Sequence, residues 1–171
     1  MELWDLYTAN RVPTGAKHIR GEAIPDGCYH LVVYVWIRNS NGEYLISQRA
    51  ANRPTFPLMW ECVGGSVLAG ETSLEGALRE VQEEVGLTLS PSTGKCVASV
   101  TRDMINGTKF SDILDVWLFS YDGEVSLCNA TTDEVAQIRW MPPAQIQAML
   151  DSGEMVQNLR PYFPLVQKTK D

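Results

Sequence analysis

Glu80, Glu83 and Glu84 sit close together just before Val85 and Gly86, and their spacing asks for chemistry. On a helix turning about 100° per residue the three carboxylates fall inside an arc of roughly 100°. Like charges at i,i+3 and i,i+4 repel by roughly 0.2–0.5 kcal/mol per pair. Carboxylates near a helix C-terminus also face the negative end of its dipole. A sequence that breaks two local rules at one spot predicts a cation there. Ligands that are all oxygen favour Mg²⁺ or Mn²⁺ over zinc. The chemistry such an ion offers is polarisation of a bound oxygen and activation of a bound water.

The element that must carry these side chains is legible nearby. Thr72 followed by Glu75 is a capping box, which starts a helix at Ser73. Leu74, Ala77, Leu78, Val81 and Val85 recur at helical spacing and form its apolar face. Gly86 is a left-handed stop. Gly76 falls in the acidic arc one turn before Glu80, which would leave the helix surface open to a bound group. Ahead of the helix, Gly64-Gly65 close a short strand from Trp60 to Val63, and Gly70 precedes Glu71. Glycines there let backbone pass close to a ligand.

Further out, strands are predicted at His30–Arg38, Glu43–Arg49, Cys96–Asp103, Ile113–Tyr121 and Val135–Trp140. Asn39-Ser40-Asn41-Gly42 is the turn between the first two. A second helix starts near Pro143 and runs to Leu150. Strands interleaved with few helices imply an α/β (α+β) fold, a layered sandwich on a mixed β-sheet. Residues 1–28 carry turn signals at Pro13-Thr14-Gly15 and Pro25-Asp26-Gly27, and read as an N-terminal hairpin extension packed on a single domain of residues 29–171. Trp36, Trp117 and Phe119 are expected in the core, whereas Phe56 and Trp60 are better placed to line a pocket.

Composition narrows the classes of partner. The chain has 171 residues, 44% hydrophobic and 20% charged, with a net charge of −7. That balance argues against a nucleic-acid polymer, whose phosphates want a basic surface. No apolar run is long enough to span a membrane and no signal-peptide pattern opens the sequence. Cys28, Cys62, Cys96 and Cys128 make no C-x-x-C pair. They read as reduced thiols of a cytoplasmic protein, with disulfides the minor alternative.

The stretch from Gly65 through Glu71 to Arg79-Glu80-Val81, Glu83-Glu84-Val85 and Gly86-Leu87 resembles the signature of the Nudix hydrolases. The resemblance implies a Nudix-fold α/β/α sandwich that hydrolyses a diphosphate linkage in a small molecule, of nucleoside diphosphate type or related. It implies metal binding by Glu80, Glu83, Glu84 and the backbone carbonyl of Gly64. Glu71 and Arg79 would join loop to helix by a salt bridge, with Gly65 at the loop's entry. Glu80 or Glu83 would take the proton of the attacking water. In some members the base lies on a loop outside the signature, which makes Asp112 and Asp115 candidates here. Glu134 is a further possible metal or substrate contact. Homodimers are common in the family. Non-catalytic binding modules of this fold often lose signature glutamates, and none is lost here.

Val12-Pro13-Thr14-Gly15, Tyr29-His30-Leu31, Gln48-Arg49, Thr55-Phe56-Pro57 and Trp60 are also similar to one Nudix branch, the isopentenyl diphosphate isomerases. That likeness implies that Arg49 and Arg53 contact a diphosphate, and it raises isomerisation of a prenyl diphosphate as the rival activity. The isomerase cysteine falls at Gly64, two residues from Cys62. Of its three metal-binding histidines only His30 is matched, the others falling at Ala23 and Ser66. Hydrolase chemistry is therefore the expectation.

Overall fold

β3 (His30–Arg38) is apolar at nearly every position, so it must be covered on both faces, and the molecule is built around it. The computed structural model describes residues 2–105 and 107–170. β8 (Thr108–Ser120) runs parallel to β3, with His30 opposite Asp112 and Arg38 opposite Ser120. β7 (Gly94–Ile105) pairs antiparallel with the outer edge of β8. On the other side, β4 (Tyr44–Arg49) touches β3 only at Arg38–Tyr44, next to their shared turn. That turn is closed by Gly42 N–H on Asn39 O at 3.0 Å, with Gly42 at φ +78°.

Beyond the turn the two strands part, and two short strands fill the gap. β5 (Trp60–Glu61) pairs with β4, and β6 (Val63–Ser66) pairs with β3. β9 (Val135–Met141) covers the remaining edge of β4. The result is a seven-stranded mixed sheet among the described residues.

Each face of this sheet carries its own core. α1 (Ser73–Val85) packs Ala77, Val81 and Val85 against Val33, Val35 and Ile37. α2 (Pro143–Ser152) and α3 (Phe163–Lys168) cover the opposite face, where Ile146, Leu150, Phe163 and Val166 meet Trp36, Tyr44, Ile46 and Leu114. Trp36 stacks on Phe163 at 5.1 Å. Fully burying one such aliphatic or aromatic side chain contributes about 1.5–3 kcal/mol. The layering is α/β/α.

The N-terminal hairpin consists of β1 (Leu3–Tyr7) and β2 (Pro13–Ile19). Tyr7 and Tyr29 exchange both backbone hydrogen bonds, at 2.8 and 2.9 Å, and Ala69 N–H donates to Leu3 O at 2.7 Å. Trp4 stacks on His30 at 4.0 Å.

Several expectations need correcting. Pro13-Thr14-Gly15 lies inside β2, and the turn is made earlier, where Arg11 N–H reaches Thr8 O. Proline is tolerated as the first residue of that edge strand because no ladder bond needs its missing N–H. The β7–β8 pair is longer than the hydrophobic pattern indicated, since its outer part is polar and exposed. Trp60 is buried in the α2–α3 core. Gly76 opens to no ligand: a Cβ there would meet Val67 Cγ2 at 2.9 Å, so its missing side chain is what lets the loop lie on α1. All four cysteines are free thiols. No helix of the described residues is long and apolar enough to cross a membrane.

Candidate active site

Two capped ends fix where the glutamates of α1 stand. Thr72 Oγ1 accepts from Glu75 N–H while Glu75 Oε2 accepts from Thr72 N–H, at 3.2 and 2.7 Å. At the other end Gly86, at φ +71°, donates to Gln82 O at 3.1 Å. The β3–β6 register then brings the loop to the helix, with Tyr34 opposite Gly64 and Val33 opposite Gly65. A Cβ built on Gly65 would lie 2.2 Å from Glu80 Oε1. The Glu80 carboxylate therefore rests on bare backbone, in space that any other residue would fill. Glu84 is buried, at 7% exposure, with the Gly64 backbone favouring its charged form.

Arg79 knits this assembly together. Its Nε and Nη2 hold the two oxygens of Glu71 at 2.8 and 3.1 Å, and Nη2 also reaches Ser66 O at 2.9 Å. Nη1 bridges Glu80 at 2.9 Å and Glu83 at 3.0 Å. Glu71 in turn accepts from Leu68 N–H at 2.9 Å, so loop and helix share one ion-pair network. Burial works against the Arg79 charge, but Glu71 and Glu80 outweigh it and its pKa is raised.

A cleft of about 280 Å³ opens over these groups. Gly64, Gly65, Arg79, Glu80, Glu83 and Glu84 line its floor, and Arg49 and Arg53 line its wall. Arg49 is pinned by Glu61 at 2.5 Å and by Thr55 O at 2.9 Å, and Arg53 by Glu134 at 2.8 Å.

Asp112 and Asp115 are elsewhere. Spaced by three along β8, they point to opposite faces of the sheet, and neither lines the cleft. Asp112 is buried in a two-point pair with Arg102, at 2.6 and 2.7 Å. Asp115 pairs in the same way with Arg11, at 2.6 Å through both oxygens. Burial pushes its pKa up, but Arg11, Ser73 and Ser99 overcome that and hold it low. Both aspartates hold the scaffold together, which corrects their reading as possible bases.

The electrostatics of the floor call for a cation. Burial raises the pKa of Glu80, against the pull of Arg79. Glu84 is pushed well above the carboxylate range by burial and then by Glu80, Glu61 and Glu134, with the Gly64 amide opposing. The donors are all oxygen, which suits a hard divalent ion. Among the described residues no three such side chains stand together as a closed metal shell, and Glu80 and Glu83 both pair with Arg79.

The sequence reading missed Thr132, Glu2 and Arg20, which line the cleft, and Glu61, which stands behind its wall as the partner of Arg49. Glu61 carried one signal, a carboxylate inside the apolar run Trp60–Val63 that needed a partner. Glu2 and Arg20 carried none, since only docking of the hairpin brings them to the cleft.

The NUDIX domain model matches residues 29–165. The chain belongs to the Nudix family. This Nudix hydrolase is 38% identical over 168 residues to an uncharacterized Nudix hydrolase of Listeria innocua, covering 98% of this chain and 93% of that relative. A solved structure of a Deinococcus radiodurans protein superposes with a TM-score of 0.71 at 23% identity, over 94% of this chain and 98% of the other; at that identity the likeness speaks for the fold. Nudix hydrolases cleave diphosphate bonds and generally use divalent metal ions.

The isopentenyl-diphosphate Delta-isomerase of Escherichia coli is 30% identical over 87 residues, which is 50% of this chain and 48% of the isomerase. Cys62 and His30, the residues on which the isomerase likeness leaned, are both enclosed. Cys62 is buried in the α2–α3 core, with its thiol pKa pushed well up by burial. His30 is sealed against Trp4.

Proposed function

We propose that this Nudix hydrolase cleaves the diphosphate linkage of a small molecule, of nucleoside diphosphate type or related. In this reading Mg²⁺ or Mn²⁺ is held by Glu80, Glu83, Glu84 and the Gly64 carbonyl. One observation carries the reading: the glutamates and the glycine backbone form the floor of one cleft whose wall presents Arg49 and Arg53. The bound ion would supply neutralisation of phosphate charge and a water of lowered pKa.

The chain's own groups do the rest. Arg49 and Arg53, held in place by Glu61 and Glu134, put fixed positive charge on the cleft wall that draws in and orients the diphosphate. Arg79 keeps the floor rigid by holding Glu71, Glu80 and Glu83 together. Glu83, the more exposed of the two carboxylates on Arg79 Nη1 (39% against 13%), takes the proton of the attacking water. The new P–O bond forms in line with the bridging P–O bond that breaks, and one phosphate leaves. The free thiols fit a reducing, cytoplasmic compartment.

Phosphate release across nucleoside diphosphate derivatives and prenyl diphosphates, with and without Mg²⁺, tests the proposal. Glu83→Gln should lower metal-dependent turnover about a hundredfold or more, while Cys62→Ala keeps it. Isomerised prenyl diphosphate without phosphate release, lost in Cys62→Ala, would reverse the reading.

A further inference from the structure

Residues 1–28 lie outside the matched NUDIX domain, yet Glu2 and Arg20 of the N-terminal hairpin line the same cleft as the glutamates. The cleft therefore presents the guanidiniums of Arg20, Arg49, Arg53 and Arg79, and their circumstances differ. Arg49, Arg53 and Arg79 are 15%, 22% and 20% exposed, and each is committed to carboxylates of the scaffold. Arg20 is 55% exposed, and its carboxylate partner is Glu2, itself 46% exposed, at 2.7 Å.

An ion pair so open to water is worth about 0–1 kcal/mol, so it yields readily to a better anion. A phosphate group offers more charge and suits the guanidinium fork. The hairpin holds Arg20 at the rim by backbone contacts that survive the exchange. Arg20 N–H donates to Glu2 O at 3.1 Å, and β1 is tied to the loop before α1 through Leu3 O and Asp5.

We propose that Arg20 is a specificity-determining residue, which leaves Glu2 to hold an anionic group on the half of the substrate away from the glutamate floor. Glu2 acts as an internal competitor that occupies Arg20 until such a group arrives. The preferred substrates are thus diphosphate compounds whose far half carries a further phosphate or carboxylate. The inference rests on the hydrolase reading above for the position of the diphosphate itself.

Calorimetric titration of the full chain with inorganic pyrophosphate and with inorganic tripolyphosphate, both in Mg²⁺, tests it. Arg20→Met should weaken tripolyphosphate binding about tenfold, or roughly 1.4 kcal/mol, and pyrophosphate binding much less. Arg20→Lys should recover part of the loss. Glu2→Gln should tighten tripolyphosphate, an effect that a merely structural pair would not produce. Equal binding of tripolyphosphate by wild type and Arg20→Met, equal losses for both probes, or no binding of tripolyphosphate by wild type would each overturn the proposal. Failure of the hydrolase reading would show separately, as unchanged turnover in Glu83→Gln.

Discussion

Glu80 sits where a glycine has no side chain, and that contact separates activity from stability. In Gly65→Ala the new methyl would claim the space of the Glu80 carboxylate, 2.2 Å away. The atom it strikes is the end of a flexible side chain, so the fold survives with a loss within about 1 kcal/mol. The carboxylate, however, is evicted from the floor. Turnover should fall at least tenfold while the melting temperature stays within a few degrees, as parallel kinetics and thermal unfolding would reveal. A large loss of stability would mean that backbone, not Glu80, gives way. The floor was legible in the sequence because its members follow helical spacing within one segment. Arg20, Glu61 and Thr132 were not, because their arrival depends on strand pairing and hairpin docking across long separations. Asp112 and Asp115 misled for the same reason: nothing local announced that Arg102 and Arg11 would claim them.

At the scale of elements, α1 ends in a way that serves both cap and cleft. Gly86 is left-handed, and a Cβ there would also lie 2.7 Å from the backbone of Asn129 and Ala130. The same loop satisfies the end of the helix, since the amides of Thr131 and Thr132 both donate to Glu83 O, at 2.9 and 3.2 Å. Gly86→Ala should therefore cost about 2 kcal/mol or more, combining the left-handed penalty with a backbone clash, as urea unfolding would measure. A cost under about 0.5 kcal/mol would show that the loop moves freely. Helix α1 and strands β3, β4 and β9 could be read from capping residues and apolar runs. The polar outer part of β7 and β8 had no such pattern, since solvated strands carry no hydrophobic alternation.

For the molecule as a whole, the seam between hairpin and domain titrates. His30 is buried against Trp4, and burial first, then the charges of Arg102, His18 and Arg20, lower its pKa from 6.5 to about 4. The unfolded chain protonates this imidazole before the folded one does. Its contribution is therefore complete above pH 6.5 and is lost as pH falls toward 4. About 2.5 pH units at about 1.4 kcal/mol each set the scale at roughly 3.5 kcal/mol. Denaturation midpoints should drop across that window, and His30→Phe, which keeps the stack on Trp4, should flatten the drop. An identical pH profile in the variant would place the acid sensitivity elsewhere.

The parting of β3 and β4 bears on how this scaffold can diverge. β5 answers to β4 and β6 answers to β3, so adding one residue at Cys62 would invert the faces of Gly64 and Gly65 and pull the floor apart. Residues 50–59 are under no such constraint. Both ends of that loop are anchored on one side of the molecule, by Arg49 N–H on Met59 O and Ala50 N–H on Glu134 O, while its interior carries Arg53 and Thr55 to the cleft wall. Insertions there that spare Arg53 and Thr55 would give descendants new appetites with the inherited chemistry left in register.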